Sequence, residues 1–374
     1  MANLFDYLQW RGDIPLREDP FAEVDNLVLA ELAYTRFQEI VPGDGRRVSL
    51  QEAHDAFFSW HTREEILAAK SFTARAPLLM PDMLSGKRFR DLELCCYADE
   101  VNKEKDLQMS AIAFLLPDGT AYLAFRGTDG TLVGWKEDFN FSFQPETEGQ
   151  RRAVAWLNRV GASLPRPLRV GGHSKGGNFA TYASAFCERG IQERILQVYS
   201  NDGPGFRQEV TEKEGYLRIL DRVFSIIPDT SVIGLMFSGK VRHHVVSSSA
   251  SGILQHDALT WNVRRNRFVP AQLSETGKAI QNIVSGLMGQ VDDGTRKYLI
   301  DTVFGLLSAT GQDSFSGISE QKWKSVESMI NAGLGMPLEK SQEMLRVLGQ
   351  LGQTGSQAAA DYIAKLKQTF SKEK

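Results

Sequence analysis

The segment Leu168-Arg-Val-Gly-Gly-His-Ser-Lys-Gly-Gly-Asn178 constrains this chain more than any other. Within it, Gly172-His173-Ser174-Lys175-Gly176 reads G-x-S-x-G. A short β-type run, Leu168 to Val170, precedes it. A helical pattern follows from Gly176 to Arg189, with Phe179, Tyr182, Ala183 and Phe186 on one face. A strand that turns at once into a helix needs glycines two residues either side of the bend, so that the two backbones can approach. Such a bend lifts the Ser174 hydroxyl clear of the sheet. It also sets the free N–H groups of the next helix beneath it, where they favour a developing negative charge.

The flanking pattern is that of an α/β sheet domain. Ser110 to Leu116 and Ala121 to Phe125 are β-rich runs joined by Pro117-Asp118-Gly119, a hairpin signal. A helical stretch follows from Gly149 to Leu164. Then come Leu196 to Ser200, a helix around Val210 to Leu217, Val223 to Ile227 and Val241 to Val246. Strands alternating with helices predict a mostly parallel central sheet covered on both faces. Residues 1–75 read as an N-terminal helical extension or cover. It includes one helix from Leu50 to Ala69, for which Ser49 and Glu52 form a capping box. Residues 271–374 read as a C-terminal helical appendage, with Ile280, Ile283, Val284 and Leu287 at helical spacing. The expected division is therefore a sheet domain over 1–270 and a helical region over 271–374.

Composition removes other classes. The net charge of −3 leaves no electrostatic footprint for nucleic acid. Three cysteines make no disulfide framework, and the adjacent Cys95 and Cys96 have the wrong spacing for zinc. No metal or organic cofactor is implied. The N-terminus lacks a basic region followed by an apolar stretch, and no apolar run is long enough to span a bilayer. The expectation is a cytoplasmic protein, with peripheral membrane contact left open and the oligomeric state unspecified.

A serine hydroxyl needs a histidine base, and that base needs an acid to hold its tautomer. In α/β-hydrolases the chain order is Ser, then Asp or Glu, then His. Beyond Ser174 lie His243, His244 and His256. The first two sit within the β-type run VRHHVV, one side chain on each face of the sheet, and read as structural. His256 lies in the loop after that strand and is the expected base. For the acid, Asp229 ends the run FSIIPD and is preferred. Asp202, in Asn201-Asp-Gly-Pro-Gly205, is the rival and reads more as a turn. Asp257 reads as a solvated loop residue. The oxyanion donors expected are the N–H of Lys175 and a group at Phe125-Arg-Gly-Thr128, through Thr128. Arg126 reads as a structural salt-bridge residue, and His173 as a buried supporting residue that points away from the hydroxyl. Trp135, Phe139 and Trp261 are candidates for an acyl pocket, with core packing the commoner role.

The strings FRGTDGTLVGWKEDF, GGHSKGG and SIIPD, with the later histidine loop, resemble the class 3 lipases in that order. The resemblance implies an α/β-hydrolase fold with Ser174 as nucleophile, Asp229 as acid, His256 as base and Thr128 as oxyanion residue. More closely, NLFDYLQWRGD, PFAEVDNL, SNDGPGF and LQHDALTW resemble a bacterial α/β-hydrolase family of largely unassigned function. Lys175 stands where the lipases usually carry Leu, and Asn178 where they favour a small residue. The implied activity is hydrolysis of a small-molecule or lipid carboxylic ester, with thioester and amide left open. The alternative is a catalytically silent binding or scaffold protein on the same fold.

Overall fold

In the computed structural model, eight strands form one sheet in which spatial order follows chain order, β1 to β8. The structure describes residues 1–69, 71–128, 146–231, 233–237, 241–274 and 278. Trp135, Phe139 and the tail helices expected beyond 278 lie outside the described residues. The strands are β1 (Val48–Ser49), β2 (Glu93–Asn102), β3 (Leu107–Leu115), β4 (Ala121–Phe125), β5 (Leu168–His173), β6 (Ile195–Asn201), β7 (Val223–Pro228) and β8 (His243–Val246). Pairing is antiparallel from β1 to β4 and parallel from β4 to β8. The fold is that of an α/β-hydrolase with a mostly parallel central sheet.

One face of the sheet is covered by N-terminal helices. These are α1 (Leu4–Arg11), α2 (Glu23–Leu32), α3 (Leu50–Trp60), α4 (Arg63–Ala68) and α5 (Leu79–Ser85). Val24, Leu27, Val28 and Leu32 share a core with Ile112, Phe114, Tyr122 and Ala124 of the sheet. The opposite face is covered by α6 (Glu148–Ser163) and α7 (Lys175–Phe186), whose Trp156, Leu157, Phe179 and Ala183 pack on Leu123, Phe125, Val170 and Val198. Strands β3 and β4 are buried along their whole length, covered by helices on both faces, which is why SAIAFLL and AYLAF lack a polar alternation.

Helix α2 is buried on every side, polar residues included. For Asp25 and Asn26 that is tolerable because each side chain has partners. Arg88 makes a two-pronged contact with Asp25, Nε to Oδ1 at 2.7 Å and Nη2 to Oδ2 at 2.5 Å. Tyr7 donates to the same carboxylate at 2.8 Å. Asn26 exchanges hydrogen bonds with Asn201, and Tyr122 Oη donates to Asn26 Oδ1 at 2.7 Å. Asn201 Nδ2 also donates to the Gly172 carbonyl at 3.0 Å. This network fastens α2 to the back of the segment that precedes Ser174.

Two local expectations differ, and one strand has none. The helix expected over 50–69 breaks at His61, because Thr62 and Glu65 form a second capping box that starts α4. Strand β5 runs past Val170 through both glycines to His173. A Cβ on Gly171 would overlap the Tyr122 hydroxyl, so the glycines mark close approach and not the strand's end. Strand β2 has no sequence expectation. A bulge between Cys95 and Ala98, with Cys96 at φ 57°, breaks the alternation that would have marked it.

Candidate active site

Ser174 sits between β5 and α7 with φ 57° and ψ −132°, a strained conformation for a residue with a Cβ. The flanking glycines are obligatory. A Cβ on Gly176 would overlap the Phe125 carbonyl, and one on Gly172 would overlap that carbonyl and Gly176 itself. The Ser174 amide is held by the Asn201 carbonyl at 2.9 Å, and its own carbonyl accepts from Gly177 N at 2.9 Å. Strain is thus maintained by packing and hydrogen bonds on both sides.

His256 ends a 3-10 turn, Gly252–His256, in the loop after β8. Its Nε2 lies 2.9 Å from Ser174 Oγ. Its Nδ1 lies 2.6 Å from Asp202 Oδ2. Since Asp202 can only accept in its ionised form, the ring carries its proton on Nδ1 and presents a bare Nε2 to the serine hydroxyl. Asp202 is buried at φ 47° directly after β6. Burial pushes its carboxyl up. The hydrogen bond and charge of His256, with a hydrogen bond from Ser231, outweigh that and hold it below the ordinary carboxylate value. Its other oxygen, Oδ1, accepts from Ser231 Oγ at 2.5 Å and from Gly234 N at 3.1 Å.

The carboxylate that meets His256 is therefore Asp202, not the expected Asp229. The sheet order gives the reason. β6 is the immediate neighbour of β5, with His173 opposite Asn201, whereas β7 is one strand farther out. Strands lie about 4.8 Å apart, so a residue after β6 reaches the ring over the elbow and one after β7 is a further strand away. Asp229 Oδ1 instead accepts from Gln255 Nε2 and Thr230 Oγ1, both at 2.9 Å, and so braces the loop that carries His256. The Asp-Gly-Pro-Gly string is thus a turn that also carries the carboxylate on His256. A Cβ on Gly203 would press on the Ser174 carbonyl, so the turn is packed directly against the elbow.

The remaining candidates fall as follows. Thr128 is buried at the end of the segment after β4. The preceding Gly127 lies so close to the elbow that a Cβ there would stand 3.1 Å from Ser174 Cβ. Lys175 opens α7, and its buried Nζ donates to Gln108 Oε1 at 2.9 Å. Asn178, the other departure from the lipases, donates to the carbonyls of Pro204 and Gly205 and accepts from Gln150 Nε2. It ties α7 and α6 to the loop that carries Asp202. Arg126 pairs with Asp99 at 2.9 Å. His243 is half-buried with Nδ1 on Ser225 Oγ at 2.9 Å, while His244 is exposed and stacked on Phe224. Trp261 is core, with Nε1 donating to the Gln255 carbonyl. Asp257 is not solvated as expected. It is half-buried and caps the next turn by accepting from Leu259 N at 3.0 Å.

His173 is fully buried behind the site, against Tyr34, Glu31 and His256. Burial, with the charge of His256, pushes its pKa down to about 3, so the ring is neutral. Glu31 Oε1 is 3.6 Å from His173 Nδ1. Neither Glu31 oxygen has a hydrogen-bond partner among the described residues. Burial first, and Asp257 second, push its carboxyl well above the ordinary range. The two groups oppose each other in pH. Unfolded, His173 takes up a proton below its ordinary 6.5, whereas folded it resists to about 3, so stability falls as pH drops through that window. Unfolded, Glu31 ionises above 4.5, whereas folded it stays protonated, so its contribution falls as pH rises. Urea unfolding between pH 4 and pH 9 should show His173→Gln flattening the acid side and Glu31→Gln the alkaline side. Slopes equal to wild type would contradict these assignments.

Among the described residues, no group of His, Cys, Asp and Glu is arranged to hold a metal ion. No described helix is long and apolar enough to cross a membrane.

A family model described as Mbeg1-like matches residues 83–305. No curated protein matches. Solved structures that match include the M37 lipase, at 14% identity and TM-score 0.34, covering 62% of this chain and 82% of that one. A Rhizomucor miehei lipase in a propeptide complex matches at 14% identity and TM-score 0.38, covering 58% and 82%. Lipase II from Rhizopus niveus matches at 15% identity and TM-score 0.33, covering 54% and 83%.

Proposed function

For a chain that belongs to the Mbeg1-like family, we propose a serine hydrolase of carboxylic esters in which Ser174 is the nucleophile, His256 the base and Asp202 the acid. One observation carries the reading. Ser174 Oγ, His256 and Asp202 form an unbroken hydrogen-bond chain, 2.9 Å and 2.6 Å long at its two links.

The chemistry follows from that chain. Ser174 Oγ attacks the ester carbonyl carbon as its proton passes to His256 Nε2. Asp202 stabilises the imidazolium that forms and does not itself take the proton. The carbonyl oxygen, now negative, meets the backbone N–H of Lys175 at the start of α7 and a donor at Thr128. His256 then gives its proton to the leaving alkoxide, and the alcohol departs. Water attacks the acyl-enzyme by the reverse proton path and releases the acid. The choice of an ester over a thioester or amide rests on the lipase-like family.

A fluorophosphonate probe followed by digestion and mass spectrometry tests the reading. The expected adduct lies on Ser174, and a panel of p-nitrophenyl esters of increasing acyl length is turned over. A folded protein that neither labels nor hydrolyses any ester would leave the binding-protein alternative.

A further inference from the structure

Behind the triad lies a second hydrogen-bond chain that the reaction does not consume. Tyr34 Oη is 2.9 Å from His173 Nδ1. His173 Nε2 is 2.9 Å from the main-chain carbonyl of His256. A carbonyl only accepts, so His173 carries its proton on Nε2, and its Nδ1 accepts from the Tyr34 hydroxyl. The two imidazole rings lie against each other, with centroids 4.7 Å apart. Tyr34 also touches the other side of the site. A Cβ on Gly127 would overlap its hydroxyl, so Tyr34 sits between the segment leading to Thr128 and the elbow.

The alternative tautomer has a waiting partner. Glu31 Oε1 is 3.6 Å from the same Nδ1. With its proton on Nδ1, His173 would face Glu31 and present a bare Nε2 to the His256 carbonyl. Two acceptors would then oppose each other, and the loop carrying the base would lose its hold. The His256 carbonyl sets the Nε2–H state, and the Tyr34 hydroxyl, by donating to Nδ1, stabilises it against the alternative.

We propose that Tyr34 and His173 are positioning residues: the Tyr34 hydroxyl, donating to Nδ1, stabilises the Nε2–H tautomer of His173, and that proton holds the His256 main chain so that the base stands on Ser174. The inference rests on the triad reading and adds to it a tautomer stabilised from the N-terminal helical layer. Neither residue touches the substrate or gains or loses a proton during turnover.

The experiment separates a tautomer from mere packing. Imidazole nitrogen shifts in 15N-histidine-labelled protein should put the His173 proton on Nε2 in the wild type. In Tyr34→Phe the proton should move wholly or partly to Nδ1. Kinetically, Tyr34→Phe should lower kcat about tenfold at unchanged KM, because a small displacement of the base is costly. His173→Gln places an amide N–H near the lost Nε2–H and has no tautomer to set, so it should restore most of kcat. His173→Asn, whose amide falls short of His256, should lose about 10²-fold. In the His173→Gln background, Tyr34→Phe should then cost less than about twofold, a strongly non-additive cycle. The cycle uses Tyr34→Phe and His173→Gln alone, so it survives a poorly folded His173→Asn. Additive effects, or a wild-type proton on Nδ1, would overturn the proposal while ester turnover by the wild type stands. A wild type without turnover overturns the triad reading and this one together.

Discussion

Asp202→Asn should lower kcat about 10⁴-fold, and Asp229→Asn should stay within about twofold of wild type. The asymmetry comes from what surrounds each carboxylate. Oδ1 of Asp202 accepts from Ser231 and Gly234. An asparagine must keep its oxygen there, which places its NH₂ where Oδ2 met His256 Nδ1. Two donors cannot face each other, so His256 moves its proton to Nε2. That nitrogen can then no longer take the serine proton. At Asp229 both contacts are donated to a single oxygen, and an amide oxygen accepts them equally well. Steady-state kinetics on any turned-over ester reads both variants. A severe loss at Asp229 with a mild one at Asp202 would return the acid to the position the sequence first suggested.

On the proposed mechanism, Ser174→Ala should remove about 10⁶ from kcat and leave only what the oxyanion donors and binding contribute. Ser174→Gly should be equally inactive and yet more stable. The residue sits at φ 57° and ψ −132°, where only glycine rests without strain. Relief of that strain is worth roughly 1 kcal/mol of unfolding free energy, and alanine gains none of it. Ester assays and urea melts on the two variants together test nucleophile and strain. Equal stability of Ala and Gly at this position would mean that the bend is relaxed.

The elbow was legible because a steric rule writes it into the sequence. At Gly172 and Gly176 a Cβ would collide with neighbouring backbone, so the spacing declares the bend. His256 was legible from its place in a loop after the last parallel strand. The carboxylate that meets His256 was not, because Asp202 and Asp229 both end strands and local pattern cannot rank them. The adjacency of β5 and β6 decides it, and adjacency is a property of the assembled sheet. Tyr34 gave no signal at all. It lies 139 positions from His173 in the chain, and a tyrosine after a buried helix looks like any other core residue. The split of the helix over 50–69 was legible in principle, since Thr62 and Glu65 have capping-box spacing.

The layer formed by α1 to α5 has a consequence for how this protein can be divided. The recognisable family region opens at residue 83, yet the apolar surface of Ile112, Phe114 and Tyr122 is sheltered by residues that come before it. A fragment trimmed to the family borders would present one side of its sheet to water and lose the amide of Asn26 from behind the bend. The smallest piece able to act alone therefore reaches back beyond the borders that similarity draws, to the helices at the beginning of the chain.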